Sequence, residues 1–264
     1  MREEAAVHLR SLFEVMERLR APDGCPWDRV QTHATLAPYL LEETYELLDA
    51  IDAGATAEIV EELGDVLVEV AMHVAIGAQQ GSFDAGAVAG EAERKMVRRH
   101  PHVFGAAVAA SAEAVLPSWE RIKAAEKPAR LSMLDGIPKG LPALAAALAV
   151  QRRPARLGLD PVPTATGAAT GVAAALAAVT AGDASEAARS AAMGELLFAA
   201  VALARHLDVD PEQALRQRAT AFRRRVAHLE AGCRADGLGL GDLDEAERAR
   251  RWALSADPGA PPAP

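Results

Sequence analysis

Two pairs of acidic residues with helical spacing constrain this sequence more than any other feature. Glu43 and Glu46 lie three residues apart in the segment 41–48, and Glu62 and Asp65 have the same spacing within an otherwise apolar run. At 3.6 residues per turn, each pair lies on one face of a helix. Two antiparallel helices of this kind would bring four carboxylates together, so the sequence predicts a helical hairpin that carries an acidic cluster.

The composition also favours helices. Of the 264 residues, 50% are apolar, so a sizeable core can be buried, whereas only 4% are aromatic. Alanine, leucine, glutamate and arginine are abundant, and these residues suit helices better than strands. We therefore expect an all-α chain.

Apolar periodicity and helix-end signals predict four helices in the first part of the chain. Pro38 suits the first turn of the second helix and Gly54 its C-terminal cap, while Thr56 suits the N-cap of the third helix. The Pro-containing turn 25–28 is interpreted as structural. The predicted helices span residues 5–19, 38–54, 57–80 and 84–99, and helical patterning resumes from 144 to about 253.

A faint internal repeat indicates two related helical halves. Residues 62–67 resemble residues 192–197, and each segment continues into an apolar helical run that contains a histidine, His73 or His206. The expected organisation is a first domain over 1–127, a Pro/Gly-punctuated linker over 128–142, a second domain over 143–254 and a disordered Pro/Ala/Gly tail over 255–264.

Charge and cysteine content exclude several classes of protein. The net charge of -9 argues against broad binding to nucleic acid, and an acidic protein that binds polyphosphate needs a cation between the two. Cys25 and Cys233 are too few for a disulfide framework, and neither belongs to a CxxC or Cys/His cluster with zinc spacing, which fits a reducing cytoplasm. No signal peptide is expected, and the uncharged stretch 161–182 is too rich in Gly, Pro and Thr for a membrane helix.

Converging carboxylates need a counter-charge. Each pair repels by about 1 kcal/mol at 4 Å in water and by about 4 kcal/mol at an effective dielectric constant of 20. A hard divalent cation offsets this repulsion, and oxygen-only ligands favour magnesium or manganese over zinc or copper. A di-iron bundle is excluded because no histidine follows a glutamate by three residues. Glutamate pairs with this spacing also occur on solvated helix faces, so spacing alone leaves both interpretations open.

The flanking residues add specificity to the acidic pattern. Glu42-Glu43-x-x-Glu46 followed by Glu62-x-x-Asp65 resembles the EExxE...ExxD signature of the MazG nucleoside triphosphate pyrophosphohydrolases. Residues 9–127 carry the resemblance strongly, and the region around 196–206 carries it more loosely. Further segments similar to the tandem-domain members of that family are GCPWD at 24–28, LLEETYE at 40–46, RRHPHVF at 98–104 and WExIK at 119–123.

The resemblance implies tandem all-α helical bundle domains and magnesium-dependent cleavage of a nucleoside triphosphate to the monophosphate and pyrophosphate, with manganese as a substitute ion. The implied metal ligands are Glu43, Glu46, Glu62 and Asp65, and Glu42 is the candidate for orienting or deprotonating the attacking water. The positions that match the family's substrate-binding residues are Lys95, Arg99, Trp119 and Lys123. Core packing for Trp119 and a solvated charge run for Arg98 and Arg99 remain alternatives, and His100 and His102 are expected to cap or pack.

The second half departs from the signature. Residues 170–180 are uncharged, the second acidic motif has become Ala192-Met193-Gly194-Glu195, and the basic helix is altered near 221–225, although Trp252 matches Trp119. A single glutamate cannot replace four ligands. We therefore expect a degenerate second domain that is catalytically inactive and contributes packing or dimerisation.

The expected protein is a cytoplasmic homodimer that hydrolyses canonical or damaged NTPs and dNTPs, as a housecleaning enzyme of the nucleotide pools. No membrane and no large nucleic acid is expected as a partner. Two alternatives remain from the sequence. One is a narrower substrate such as dUTP, dCTP or phosphoribosyl-ATP, and the other is a nucleotide-binding module without catalysis.

Overall fold

The structure is a computed structural model, which describes residues 2–108, 111, 115, 119, 121–122, 126, 131–180 and 185–255. Every regular element among these residues is a helix, so the expectation of an all-α chain is confirmed. The chain divides into two compact units, Met1–Glu126 and Lys127–Pro264.

The first unit contains a helical hairpin of two long helices. Its named helices are α1 (Arg2–Leu19), α2 (Pro26–Val30), α3 (His33–Ala53), α4 (Thr56–Gln79), α5 (Ala85–Arg99) and α6 (Pro101–Phe104). Only Gly54 and Ala55 separate α3 from α4, and Gly54 adopts the left-handed conformation, with φ of 67°, that ends α3. The two helices therefore run antiparallel along each other.

Two predicted helix starts were wrong. Helix α3 begins at His33 rather than near Pro38, because Thr32 and Thr35 form a capping box in which Thr35 N donates to Thr32 Oγ1 (3.2 Å) and Thr32 N donates to Thr35 Oγ1 (2.8 Å). Pro38 removes one backbone hydrogen bond from the second turn, and the cap offsets that loss. Thr56 is the first residue of α4 and not its N-cap, since the short turn leaves Ala55 in that position.

The core of the first unit lies between α1, α3 and α4. Its buried residues are Met16, Leu36, Ala71, Met72, Ala75 and Ile76, with Leu12, Phe13, Leu19 and Val68 packed against them. Small residues on α4 allow close packing. At Gly77, for example, a Cβ would lie 2.5 Å from the Phe83 ring. This core fixes the position of α4, and with it the acidic residues on its first three turns.

A buried arginine fixes the turn between α1 and α2. Arg20 is 8% exposed, and its Nε donates to Gln79 Oε1 (3.0 Å) at the end of α4, while Gln79 Nε2 donates back to the Arg20 carbonyl (2.9 Å). The Arg20 guanidinium also donates to the carbonyls of Asp28 and Gln31. The contact with the Asp28 carbonyl holds the last residue of the GCPWD segment, in agreement with the structural interpretation of this turn.

The second unit repeats the order of the first. Its elements are α7 (Ala143–Ala155), α8 (Ala165–Thr180), α9 (Glu186–His206), α10 (Pro211–Ala235), a 3-10 turn (Leu240–Asp242) and α11 (Glu245–Leu254). Helices α8 and α9 pack as a pair and α7 packs on α9, as α3, α4 and α1 do in the first unit. The tandem arrangement of two helical halves agrees with the repeat in the sequence.

An ion pair joins the end of α9 to the connection between α7 and α8. Arg205 Nη1 lies 2.8 Å from Asp160 Oδ2, and His206 Nε2 donates to the Val162 carbonyl (2.6 Å). The hydrogen bond from Arg205, the largest cause, lowers the pKa of Asp160. These contacts tie the α7–α8 connection to α9.

The structure describes only parts of the predicted linker (128–142) and of the predicted tail (255–264). In the described part of the linker, residues 131–142, Arg153 of α7 donates to the carbonyls of Met133 (3.0 Å) and Asp135 (2.9 Å). The tail prediction for residues 256–264 lies outside the described residues. Ser255 does not belong to a tail, because it is buried and its Oγ donates to the Trp252 carbonyl (2.9 Å).

Among the described residues, α9 is the one helix whose length and composition alone would allow it to cross a membrane. It packs against α8 and α7, and a single helix of this kind is weak evidence for a membrane span. The uncharged helix α8 has 16 residues, fewer than a membrane span needs.

Candidate metal centre

Three of the four predicted metal ligands converge in the structure. Glu43 lies on α3, and Glu62 and Asp65 lie on α4 across the hairpin. One oxygen of each carboxylate lies within 4.8 Å of the corresponding oxygens of the other two. Glu43 and Glu62 are half-buried and Asp65 is exposed, so the cluster is open to solvent on one side.

Glu46 lies near this cluster without joining it. Its side chain is exposed and does not belong to the set of mutually close oxygens. Its charge nevertheless raises the pKa of both Glu43 and Glu62. Glu42, the candidate for acting on water, is exposed on the same turn of α3 and also raises the pKa of Glu43.

The cluster is electrostatically unfavourable as it stands. Burial is the largest cause of the raised pKa of Glu43, followed by the charges of Asp65, Glu46 and Glu42. Burial likewise comes first for Glu62, ahead of Glu46, Asp65, Glu43 and Glu61. Glu62 Oε2 is shielded from solvent and, among the described residues, has no hydrogen-bond partner. A buried oxygen without a partner costs free energy, so a positive charge placed beside these carboxylates would stabilise the site.

Sequence reasoning missed a further carboxylate, Glu69. It lies one turn beyond Asp65 on the same face of α4, and its Oε2 is also buried without a hydrogen-bond partner among the described residues. Burial first and the charge of Glu43 second raise the pKa of Glu69. The spacing 62, 65, 69 within an apolar run was the signal that could have identified this residue.

These observations fit a hard divalent cation. All candidate ligand atoms are carboxylate oxygens, which magnesium and manganese prefer. Glu62 Oε2 and, one turn further along α4, Glu69 Oε2 lack a hydrogen-bond partner in the described part of the chain. A cation would neutralise the repulsion that raises the pKa values. Glu43, Glu62 and Asp65 are the residues placed to hold it.

Of the predicted substrate-binding residues, Lys95 and Arg99 lie on α5, and Trp119 lies further along the chain, after α6. Lys95 is half-buried on α5, and the Arg99 guanidinium lies 5.2 Å from the centre of the Trp119 ring. Lys123 lies outside the described residues. His100 Nδ1 lies 2.7 Å from the Met96 carbonyl, which matches its expected capping role.

Arg98 and Arg99 share a partner that sequence reasoning also missed. Arg99 Nη2 donates to Glu126 Oε2 (2.6 Å), and Arg98 Nε donates to Glu126 Oε1 (2.7 Å). These hydrogen bonds, that from Arg99 first, lower the pKa of Glu126 to about 2. No sequence spacing connects Glu126 with residues 27 and 28 positions earlier, so only the fold reveals this contact.

The second unit has no corresponding acidic cluster among its described residues. Helix α8 contains no acidic residue, and Glu195, at the position matching Asp65, is exposed. The arginine–tryptophan contact is retained, because Arg225 of α10 lies 3.9 Å from the centre of the Trp252 ring. The repeat thus keeps an aromatic and basic pair without the carboxylates.

Comparison with known proteins gives one family and several relatives. A model of the MazG nucleotide pyrophosphohydrolase domain matches residues 31–104. The chain is 40% identical over 241 residues to the nucleoside triphosphate pyrophosphohydrolase of Escherichia coli (strain K12), which covers 88% of this chain and 91% of that protein. It is 39% identical over 241 residues to the nucleoside triphosphate pyrophosphohydrolase/pyrophosphatase MazG of Thermotoga maritima, covering 91% and 92%.

Another relative is longer than this chain. The uncharacterized protein YabN of Bacillus subtilis (strain 168) is 41% identical over 256 residues, which are 95% of this chain and 52% of that protein. The chain therefore spans about half of the Bacillus protein, in contrast to its nearly full coverage of the Escherichia and Thermotoga proteins.

Proposed function

Because this chain belongs to the MazG nucleotide pyrophosphohydrolase family, we propose that it hydrolyses nucleoside triphosphates to the monophosphate and pyrophosphate in its first unit. The observation that supports this most directly is the convergence of Glu43, Glu62 and Asp65 within 4.8 Å. The matched domain, residues 31–104, contains all three carboxylates.

Glu43, Glu62 and Asp65 would hold the ion, which we propose to be magnesium with manganese as a substitute. Glu46, one turn from Glu43 on α3, would be the fourth ligand. When bound, such an ion neutralises phosphate oxygens and makes a water a better nucleophile. The protein's contribution is to fix the ligands on two rigid helices packed on a common core. Lys95, Arg99 and Lys123 neutralise the triphosphate, and Trp119 stacks on the base. Stacking does not read base identity, so broad base tolerance is expected.

Glu42 orients or deprotonates the attacking water. It is exposed and adjacent to Glu43, so its carboxylate is free to approach a water beside the cluster. Glu42→Gln is expected to lower kcat at least about 10-fold while KM changes little, because a positioned base contributes mainly to the transition state. Steady-state kinetics with excess Mg²⁺ measure both constants, and a Glu42→Gln protein with native kcat would remove this role.

A panel of nucleotides tests the proposed function. The purified chain, with Mg²⁺, is expected to release pyrophosphate from canonical and damaged NTPs and dNTPs. Turnover of only one member, such as dUTP, dCTP or phosphoribosyl-ATP, would indicate a narrower enzyme. Binding of nucleotides without pyrophosphate from any of them would indicate a non-catalytic module and contradict the proposal.

The second unit is catalytically inactive and contributes packing or dimerisation. Large apolar side chains remain exposed on the α3–α4 hairpin, including Leu41 at 58% and Val60 at 67%, and a second copy of the chain is the proposed cover. A monomeric mass in sedimentation velocity would contradict the homodimer.

Both cysteines are free, which fits a cytoplasmic protein. Neither a membrane nor a large nucleic acid is proposed as a partner.

A further inference from the structure

Glu126 occupies the hydrogen-bond donors that a phosphate would use. Its two carboxylate oxygens accept hydrogen bonds from Arg98 and Arg99, and Arg99 Nε lies 3.1 Å from the same oxygen that Nη2 contacts. A guanidinium offers its fork of donors equally to a carboxylate or to a phosphate. The side chains of Arg99 and Glu126 are 11% and 15% exposed, so a second anion cannot reach the Arg99 donors facing Glu126 while the pair persists.

The second unit indicates that the carboxylate is not needed to hold the arginine against the tryptophan. Arg225 lies closer to its ring, at 3.9 Å, than Arg99 does to Trp119, at 5.2 Å. Arg225 donates to the Trp252 carbonyl and to Ser255 Oγ, and among the described residues no carboxylate pairs with it. An arginine can therefore lie against the tryptophan at this position of the fold without a carboxylate partner. Holding Arg99 against Trp119 does not by itself explain the presence of Glu126.

We propose that Glu126 competes with the triphosphate for Arg98 and Arg99, so that it sets the affinity of the site and is displaced when substrate binds. The proposal rests on the proposed function, in which Arg99 contacts the triphosphate. A triphosphate carries more negative charge than one carboxylate and has further anchors at the metal centre, so it can replace Glu126. A nucleoside monophosphate held only at the metal centre has no phosphate to place there.

Glu126→Gln tests the competition, since it removes the charge and keeps the shape of the side chain. In the full-length protein with Mg²⁺, isothermal titration calorimetry with an α,β-methylene triphosphate analogue is expected to show about 10-fold tighter binding, the equivalent of one charge-assisted hydrogen bond released. KM should fall by a similar factor with kcat within about twofold, and the affinity for the monophosphate should stay within about twofold.

Glu91→Gln is the matched control. Glu91 lies on α5, the helix that carries Arg98 and Arg99, and pairs with Arg94 at 3.1 Å on an exposed surface, so its substitution removes the same charge without touching that arginine pair. Its affinity for the analogue should remain within about twofold of the native value. Equal tightening in both variants would reflect net charge and overturn the proposal, as would unchanged or weaker binding in Glu126→Gln.

Glu126→Asp provides a second measurement in case the glutamine variant does not fold. It keeps the charge but withdraws the carboxylate by one methylene from the two arginines, so binding of the analogue should tighten by a smaller factor, and weaker binding would overturn the proposal. If the native protein hydrolyses triphosphates but Glu126→Gln binds the analogue no more tightly, only this inference is contradicted. A native protein that neither binds nor hydrolyses any triphosphate contradicts the proposed function and this inference with it.

Discussion

Glu62→Ala is expected to reduce pyrophosphate release at least about 100-fold, equivalent to about 3 kcal/mol of transition-state stabilisation. Glu62 belongs to the set of three carboxylates within 4.8 Å of one another, and the other two cannot replace the missing ligand. The matched control is Glu195→Ala, which changes the acidic residue at the position in the second unit that corresponds to Asp65. Its activity should remain within about twofold of the native protein.

The same substitution should not weaken the fold. The buried Glu62 Oε2 has no hydrogen-bond partner among the described residues, and its neighbours repel it, so alanine removes an unfavourable group from metal-free protein. Denaturant unfolding in EDTA is therefore expected to give an equal or higher free energy of unfolding for Glu62→Ala than for the native chain. Lost activity with retained stability identifies a functional residue. Native rates of pyrophosphate release from Glu62→Ala would show that the site is assigned wrongly.

The hairpin that carries the site could be predicted from the sequence because the signals that define it lie within short segments of the chain. The 3.6-residue period places Glu43 on one helix face and Glu62 with Asp65 on another, and Gly54 marks the turn that brings the helices together. The exact helix starts were harder to predict. Pro38 suggested a start near that residue, but the capping box of Thr32 and Thr35 begins α3 five residues earlier. Local signals compete at helix ends, and their balance depends on hydrogen bonds that a pattern does not rank.

The residues that sequence reasoning missed depend on tertiary contacts. Glu126 becomes important only because the fold brings it to Arg98 and Arg99, and Ser255 leaves the predicted tail because Arg225 and Trp252 hold it. Glu46 shows the opposite case, since its spacing suggested a ligand and the structure leaves it just outside the closest set. Periodicity assigns a residue to a helix face, whereas side-chain rotamers and packing decide which oxygens meet.

Removal of the divalent cation is expected to abolish activity and to make stability depend on pH above the ordinary range of glutamate. Burial and neighbouring charges raise the pKa of Glu43, Glu62 and Glu69, so the folded metal-free chain holds protons that the unfolded chain has already lost. Its free energy of unfolding must therefore fall as pH rises from the ordinary glutamate pKa through the raised values.

The carboxylates with lowered pKa do not mask this effect. Glu126 and Glu247, each with a pKa of about 2, contribute stability that is fully present above the ordinary glutamate pKa and is lost only as pH falls towards 2. The two groups of carboxylates thus act in separate pH windows. Among the described carboxylates with a shifted pKa, only the acidic cluster acts above the ordinary glutamate range, and a cation reverses its effect because it binds the ionised form. His73 acts in the opposite sense: burial first and His33 second lower its pKa, so its contribution to stability rises with pH up to the ordinary histidine pKa.

Two measurements check these expectations. Between pH 4.5 and pH 8 in EDTA, the contribution of Glu62 should lower the thermal midpoint of the native chain relative to that of Glu62→Ala, a comparison in which the other titrating groups are shared. Mg²⁺ at 100 times its Kd should add about 2.7 kcal/mol to the free energy of unfolding. Calorimetric titration with Mg²⁺ in two buffers of different ionisation enthalpy should show proton release that is larger at pH 4.5, the ordinary glutamate pKa, than at pH 8. Glu62→Ala should release fewer protons, since one carboxylate with a raised pKa is gone. Full activity in EDTA, or Mg²⁺ binding without proton release at pH 4.5, would contradict a metal centre built from these carboxylates.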